Sequence, residues 1–140
     1  MKILYTAEVT VQGGRQGQAQ SSDGNLMLNL STPKEMGGPG APGTTNPEQL
    51  FAAGYAACFQ SALMVIARRQ HVDASQSTVT AKVGIGPNGE GGYGLEVELH
   101  VAIPDMDEAT GQKLVELAHQ VCPYSNATRG NIPVKLTFGE

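Results

Sequence analysis

The chain has no tryptophan, and aromatic residues make up only 5% and charged residues only 16% of its 140 residues. The charged share lies well below the ~25% of an average domain, so part of the surface is expected to be withdrawn from water by association. Basic residues are also scarce: 9 Lys and Arg stand against 13 Asp and Glu, a net charge of −4. That balance excludes duplex nucleic acid and an anionic membrane as natural partners. MKILYTAEVTVQ, with a short apolar run and an acid at Glu8, does not read as a secretory leader, and the expected location is the cytoplasm. No apolar run reaches the ~20 residues that span a bilayer. The longest, Leu50 to Ala67, is interrupted by Gly54, Gln60 and Ser61 and reads as a core helix. The glycine clusters match neither a phosphate-binding loop nor a dinucleotide fingerprint, and there is no CxxC and no HxxxH. Neither a cofactor nor a bound metal is expected.

What is present amounts to one domain over residues 1–140. Alternation from Ile3 to Val11 predicts a first strand, which runs into a Gly13, Gly14, Arg15, Gln16, Gly17 turn. A short strand through Ala19, the turn cluster Ser22 to Asn25 and a strand over Leu26 to Leu30 follow. Ser31 to Thr45 holds repeated Pro and Gly without an apolar period, the mark of a long loop that is either functional or disordered. Asn46, Pro47, Glu48 and Gln49 form a helix start with Asn as the cap, Pro at the first helical residue and Gln at the third. This helix runs to about Gln70, and its small and apolar residues cover most of its circumference, so it is expected to be buried on most sides. Two strands, Thr78 to Ile85 and Gly94 to Ile103, form a hairpin. A second helix, capped by Asp105 or Asp107, carries Leu114, Leu117, Ala118 and Val121 and is ended by Pro123. Val134, Leu136 and Phe138 make a sixth strand. The predicted class is α+β, in the order βββ, α, ββ, α, β, with the long helix packed on an antiparallel sheet.

The two cysteines, Cys58 and Cys122, are either buried bystanders or a redox couple, because a permanent bridge is not the default in a reducing compartment. Cys58 lies mid-helix, too far from the positive helix end to be ionised by it, and apolar burial raises a thiol's pKa. As a nucleophile it needs a cation brought by another element. Cys122, in the last turn of the second helix, faces carbonyl ends that oppose ionisation, which makes it the poorer attacking thiol. Arg15 is free to fold inward from its glycine turn, and Glu48 would orient the guanidinium by a bidentate contact. The plainer alternatives are an exposed charge at a hairpin tip and an acid that favours a helix N-terminus. Arg68 and Arg69 read as a solvated pair at the helix end. A zinc-stabilised domain using His119, Cys122, Cys58 and His71 or His100 is a further alternative, without the usual closely spaced ligand pairs.

Two runs, PKEMGGPGAPGTTNPEQLFAAGYAACFQSAL (Pro33 to Leu63) and VCPYSNATRGNIPV (Val121 to Val134), together with the early GGRQG, resemble the organic hydroperoxide resistance branch of the OsmC/Ohr family. The resemblance covers essentially the whole chain. It implies a thiol-dependent peroxidase that works as an intertwined homodimer on alkyl and lipid hydroperoxides. Cys58 would be the peroxidatic residue, Cys122 the resolving one, and Arg15 with Glu48 the activating pair. A lipoylated protein or another dithiol would be the reductant. Phe51, Met36, Tyr124 and Phe59 are candidates for an apolar wall against the alkyl group, with Phe59 better read as core. The related OsmC branch, with a broader peroxide preference, and a redox sensor without turnover are the competing readings. On one straight helix Glu48 and Cys58 stand ~15 Å apart. Both serve a single Arg15 only if the helix starts later, if it kinks, or if one partner comes from a second chain.

Overall fold

Glycine sets the geometry of the first turn. Gly13 has φ of +86°, and a Cβ on Gly17 would stand 1.6 Å from the Gln12 carbonyl oxygen, so neither position accepts a side chain without rebuilding. The turn closes as a short 3-10 segment, Gly14–Gln16, between strands β1 (Val9–Gln12) and β2 (Gln18–Ser21). A third strand, β3 (Met27–Asn29), completes an antiparallel sheet of order β1-β2-β3. The computed structural model describes all residues, Met1–Glu140, and the chain forms two compact units, Met1–Leu50 and Phe51–Glu140.

In the first unit the expected strand from Ile3 is corrected: pairing begins only at Val9. Ile3, Leu4 and Tyr5 are 61%, 91% and 78% exposed and lie outside any strand. Alternation marks two faces, but a strand also needs a neighbour, and the chain offers none to Ile3–Tyr5. The glycine- and proline-rich loop is ordered by its own hydrogen bonds. Leu30 bridges Thr45, the Ser31 hydroxyl accepts from the Ala41 N–H at 3.1 Å, and Lys34–Met36 make a second 3-10 turn.

Helix α1 (Pro47–Arg69) starts where its capping residues predict. The Gln49 N–H donates to Asn46 Oδ1 at 2.8 Å. The reciprocal arm differs from a standard capping box, since Gln49 Oε1 accepts from the Thr45 hydroxyl at 2.8 Å. From Tyr55 onward the helix buries one face, made of Tyr55, Phe59, Ala62, Leu63, Ile66 and Ala67. That face belongs to the core of the second unit, with Val97, Leu99, Val101, Leu114, Val115 and Ala118. Burial on most sides is therefore not seen: Met64 and Val65 remain exposed. By length and composition α1 would also pass for a membrane span; its contribution to this core is the behaviour of a core helix.

The second unit continues with strands β4 (Thr78–Pro87), β5 (Tyr93–Ala102) and β6 (Val134–Phe138) and helices α2 (Glu108–Val121) and α3 (Pro123–Thr128). The hairpin pairs Ala81 with Leu99 and Val83 with Val97, which turns the apolar face of both strands inward. Sheet order is β4-β5-β6. β6 runs parallel to β5, from Val97↔Val134 to Val101↔Phe138, so the sheet is mixed where an antiparallel one is expected. Asp107 is the cap of α2, accepting from the Thr110 N–H at 2.9 Å. Pro123 ends α2 as expected but also opens α3, a helix the sequence pattern misses. The α+β class and the βββ, α, ββ, α, β order stand, with α3 added.

Candidate active site

Cys58 and Cys122, 64 residues apart in sequence, bring their sulfurs to 3.5 Å, with the Cys122 thiol donating to Cys58 Sγ. Both are free thiols, Cys58 half-buried and Cys122 fully buried. Cys58 is supplied by the fourth turn of α1. Cys122 occupies the junction of two helices, closing α2 and capping α3, rather than the last turn of α2. This placement revises the electrostatic expectation for the segment, because the residues after Cys122 present backbone N–H groups as well as the carbonyls behind it. One of them, the Tyr124 amide, acts on Cys58 in the direction that favours the thiolate.

Burial pushes the Cys58 thiol pKa up, the Tyr124 amide opposes that rise, and the adjacent Cys122 sulfur adds to it. The net direction is upward, as apolar surroundings dictate for an acid that ionises to an anion. Thiolate chemistry at Cys58 thus requires a further cation.

Arg15 and Glu48, both in the first unit, meet each other. Arg15 Nη1 donates to Glu48 Oε2 at 3.0 Å, and Nη2 lies 2.8 Å from Oε1. Oε1 is buried and receives no aligned hydrogen bond, so Nη2 holds it by charge rather than by a directed N–H. The Glu48 contact raises the already high pKa of Arg15 and keeps it a cation. The inward-folded arginine is what the 3-10 turn between β1 and β2 produces. Glu48 lies in the first turn of α1 and Cys58 three turns on, and because α1 begins at Pro47 the option of a later helix start is removed.

Phe51 and Tyr124 pack in the second unit around Tyr55. The Phe51 and Tyr124 rings sit 6.4 Å apart at 61°, and Tyr55 and Tyr124 lie 5.7 Å apart. Tyr124 is 41% exposed and closes against Gly54, where an added Cβ would come within 3.0 Å of its hydroxyl. Phe59 is fully buried in the core. Met36, exposed at the end of its 3-10 turn, belongs to the first unit. Two histidines of the zinc alternative meet hydroxyls, His119 Nδ1 with Ser125 Oγ and His100 Nδ1 with Thr137 Oγ1. No group of three or more metal-ligating side chains converges anywhere.

A network of side chains beneath the sulfurs is absent from the sequence reading. The Tyr55 hydroxyl contacts Ser125 Oγ at 2.9 Å and Thr128 Oγ1 at 3.0 Å. The signal was local: Tyr55 precedes Cys58 by one helical turn, and a Pro following Cys122 marks a helix start as much as a stop.

The OsmC-like protein family model matches residues 38–137. The chain belongs to the OsmC-like family. It is 56% identical to an organic hydroperoxide resistance protein of Xanthomonas axonopodis pv. citri, over 98% of this chain and 96% of that one. It is 46% identical to the organic hydroperoxide resistance protein OhrB of Bacillus subtilis, over 95% and 96%. Among solved structures, an organic hydroperoxide resistance protein from Elizabethkingia anophelis superposes with a TM-score of 0.93 at 53% identity, covering 100% of this chain and 99% of that one. The OsmC-like fold is therefore shared along the full length, including both cysteine segments.

Proposed function

We propose that this OsmC-like protein is a cysteine-based peroxidase that reduces organic hydroperoxides to alcohols. The observation that carries the reading is the pair of free sulfurs 3.5 Å apart, close enough to form a ~2.05 Å disulfide with a small side-chain movement. The names of the relatives support the substrate class.

In the proposed cycle the Cys58 thiolate attacks the distal oxygen of the peroxide. The O–O bond breaks, the alkoxide leaves with a proton as the alcohol, and Cys58 becomes a sulfenic acid. The Cys122 thiol then attacks that sulfur, water departs, and a Cys58–Cys122 disulfide remains. A dithiol restores both thiols and is itself oxidised to a disulfide; a dihydrolipoyl group on a carrier protein is the donor we favour.

A free cysteine is only a few per cent thiolate at pH 7, and burial lowers that share for Cys58. Relative to a free cysteine, complete ionisation gains about 30-fold in rate, or about 2 kcal/mol, and relative to the buried thiol it gains more. Arg15, held by Glu48, is proposed to supply both that ionisation and a hydrogen bond to the leaving oxygen, as donors in an oxyanion hole do. Phe51, Tyr124 and Met36 would line the approach of the alkyl group. With a kink in α1 or a second chain as the remaining ways to unite Arg15 with Cys58, we favour an intertwined homodimer. The exposed apolar residues Ile3, Tyr5, Val9 and Val11 and the free flank of α1 support it. The family match runs across the boundary between the two units, which supports reading residues 1–140 as one OsmC-like domain. We place the protein in the cytoplasm, where dithiol donors keep it reduced.

Catalytic protein incubated with an alkyl hydroperoxide and dihydrolipoamide tests the reading. Consumption of many equivalents is expected. One equivalent per chain, followed by a stable disulfide, would make it a redox sensor, and equal rates with hydrogen peroxide would favour the broader preference of the OsmC branch.

A further inference from the structure

Ser125 and Thr128, both buried on α3, meet the Tyr55 hydroxyl on α1. On its other side Ser125 Oγ lies 2.8 Å from His119 Nδ1 on α2. At the far end the Thr128 hydroxyl donates back to the Ser125 carbonyl at 3.3 Å. The chain has a direction, and it can be worked out by counting hydrogens. A carbonyl only accepts, so the single Thr128 hydroxyl hydrogen is committed to it. Thr128 Oγ1 must then accept from Tyr55, Tyr55 must accept from Ser125, and Ser125 must accept from His119. Only this order makes all four bonds, and it requires a proton on His119 Nδ1. The reverse order forfeits the Thr128 bond.

The relay sits one helical layer below the sulfurs. Tyr55 lies a turn before Cys58 on α1, while Cys122, whose sulfur meets Cys58 Sγ, is the N-cap of the helix that carries Ser125 and Thr128. Arg129 adds a strap, donating to the His119 carbonyl and to Asn126. We propose that the His119–Ser125–Tyr55–Thr128 relay positions the Cys122–Tyr124 turn against α1, setting the contact between the two sulfurs, and that it holds His119 as the Nδ1–H tautomer. The proposal rests on the peroxidase reading for its catalytic consequence and on geometry alone for the tautomer. These are positioning residues, not catalytic ones: none touches a reacting atom.

Nitrogen NMR of the reduced protein at neutral pH reads the tautomer directly, and it does so whether or not the protein turns over. The Nδ1–H form is expected; an Nε2–H form would overturn the relay. For function, His119→Asn places an amide N–H near the Nδ1 position, whereas His119→Gln places it near Nε2. The Asn variant is expected to keep the rate of Cys58–Cys122 disulfide formation within about twofold, and the Gln variant to lose about ten- to a hundredfold, the cost of ångström-scale misplacement. Cys58 sulfinic acid should then accumulate under excess peroxide in the Gln variant only. Thr128→Ser against Thr128→Val repeats the comparison at the other end of the relay, with Ser keeping the rate and Val losing it. Equal disulfide rates in the two members of both pairs would sink the proposal. If turnover is absent altogether but the tautomer and the rates of oxidant-driven disulfide formation sort as stated, the peroxidase reading fails and the relay stands.

Discussion

At the scale of single residues, burial discourages the Cys58 thiol from ionising, whereas the Arg15 guanidinium beside Glu48 keeps its charge. If Arg15 drives Cys58 to the thiolate, alkylation of Cys58 by iodoacetamide should follow a pH curve centred below the ~8.5 of a free thiol. In Arg15→Ala, burial acts with only the Tyr124 amide against it, so the curve should move to a pH above that of free cysteine. Reactivity grows with pH in both proteins, and only the midpoint shifts. Arg15→Lys keeps the charge but loses the fork that spans both Glu48 oxygens. Its peroxide-reduction rate should fall about 10²-fold, the usual cost of one aimed donor, while the thiolate midpoint moves less than in the alanine variant. Cys122→Ser removes the neighbouring thiol, so one peroxide equivalent should yield sulfenic acid and excess peroxide sulfinic acid at Cys58, read by intact mass. A Cys122→Ser protein that turns over repeatedly without sulfinic acid would contradict the resolving role. The approach of Cys58 to Cys122 and of Arg15 to Glu48 was legible because cysteine, arginine and glutamate carry their chemistry in their side chains. The Tyr124 amide was not, because any residue at that position offers the same N–H.

Among elements, what could be read depended on how local the cause is. The start of α1 follows from Asn46 and Pro47 acting within one turn. The β4–β5 hairpin follows from alternation around a glycine-rich connection. The parallel pairing of β6 with β5 was out of reach, since register across dozens of residues is chosen by packing and not by the strand's own composition. One contact that decides this packing involves a glycine with no turn to make. Gly111 is buried in α2, and a Cβ there would fall 2.1 Å from Phe138 Cζ on β6. In an ordinary helix alanine outranks glycine by ~1 kcal/mol, but here the ring must move off α2. Gly111→Ala should therefore destabilise the protein by about 1–3 kcal/mol in urea unfolding, as overpacked cores do. Adding Phe138→Leu should recover part of the loss.

For the molecule as a whole, acid stability should fall in two stages. Burial and the nearby Arg129 lower the His119 pKa from its ordinary 6.5. Between that lowered value and 6.5 the unfolded chain binds more protons than the folded one, so stability rises with pH there and drops as pH falls below about 6.5. Asp23, Asp73 and Asp107 have carboxyl pKa values held below 3.8 by local hydrogen bonds. Their contribution is complete above 3.8 and is lost as pH falls through their lowered values. Melting temperature against pH should show both stages, and His119→Asn should erase the first and leave the second.

The low share of charged residues finds its counterpart in surfaces that a single chain leaves unpaired. Ile3, Leu4, Tyr5, Val9 and Val11 in the first unit are all more than 45% exposed, and Met64 and Val65 stand out from α1 in the second. Fully burying side chains of this kind contributes about 1.5–3 kcal/mol each. The exposed fractions of these seven amount to about four full side chains, so each chain offers about 6–12 kcal/mol, comparable to the 4–15 kcal/mol that association costs in lost freedom. A strand pattern without a partner in its own chain and a helix with an uncovered apolar flank are what an intertwined pair would complete. Sedimentation of the wild-type protein should give a dimer at micromolar concentration. Replacing Ile3 and Tyr5 together by Asp puts two desolvated charges into the proposed seam and should shift the equilibrium to monomer, with the thermal transition becoming independent of concentration. If the intertwined pair is also what brings Arg15 to Cys58, peroxide reduction should fall in step with the dimer fraction. A fully monomeric variant with undiminished turnover would return the choice to a kink in α1.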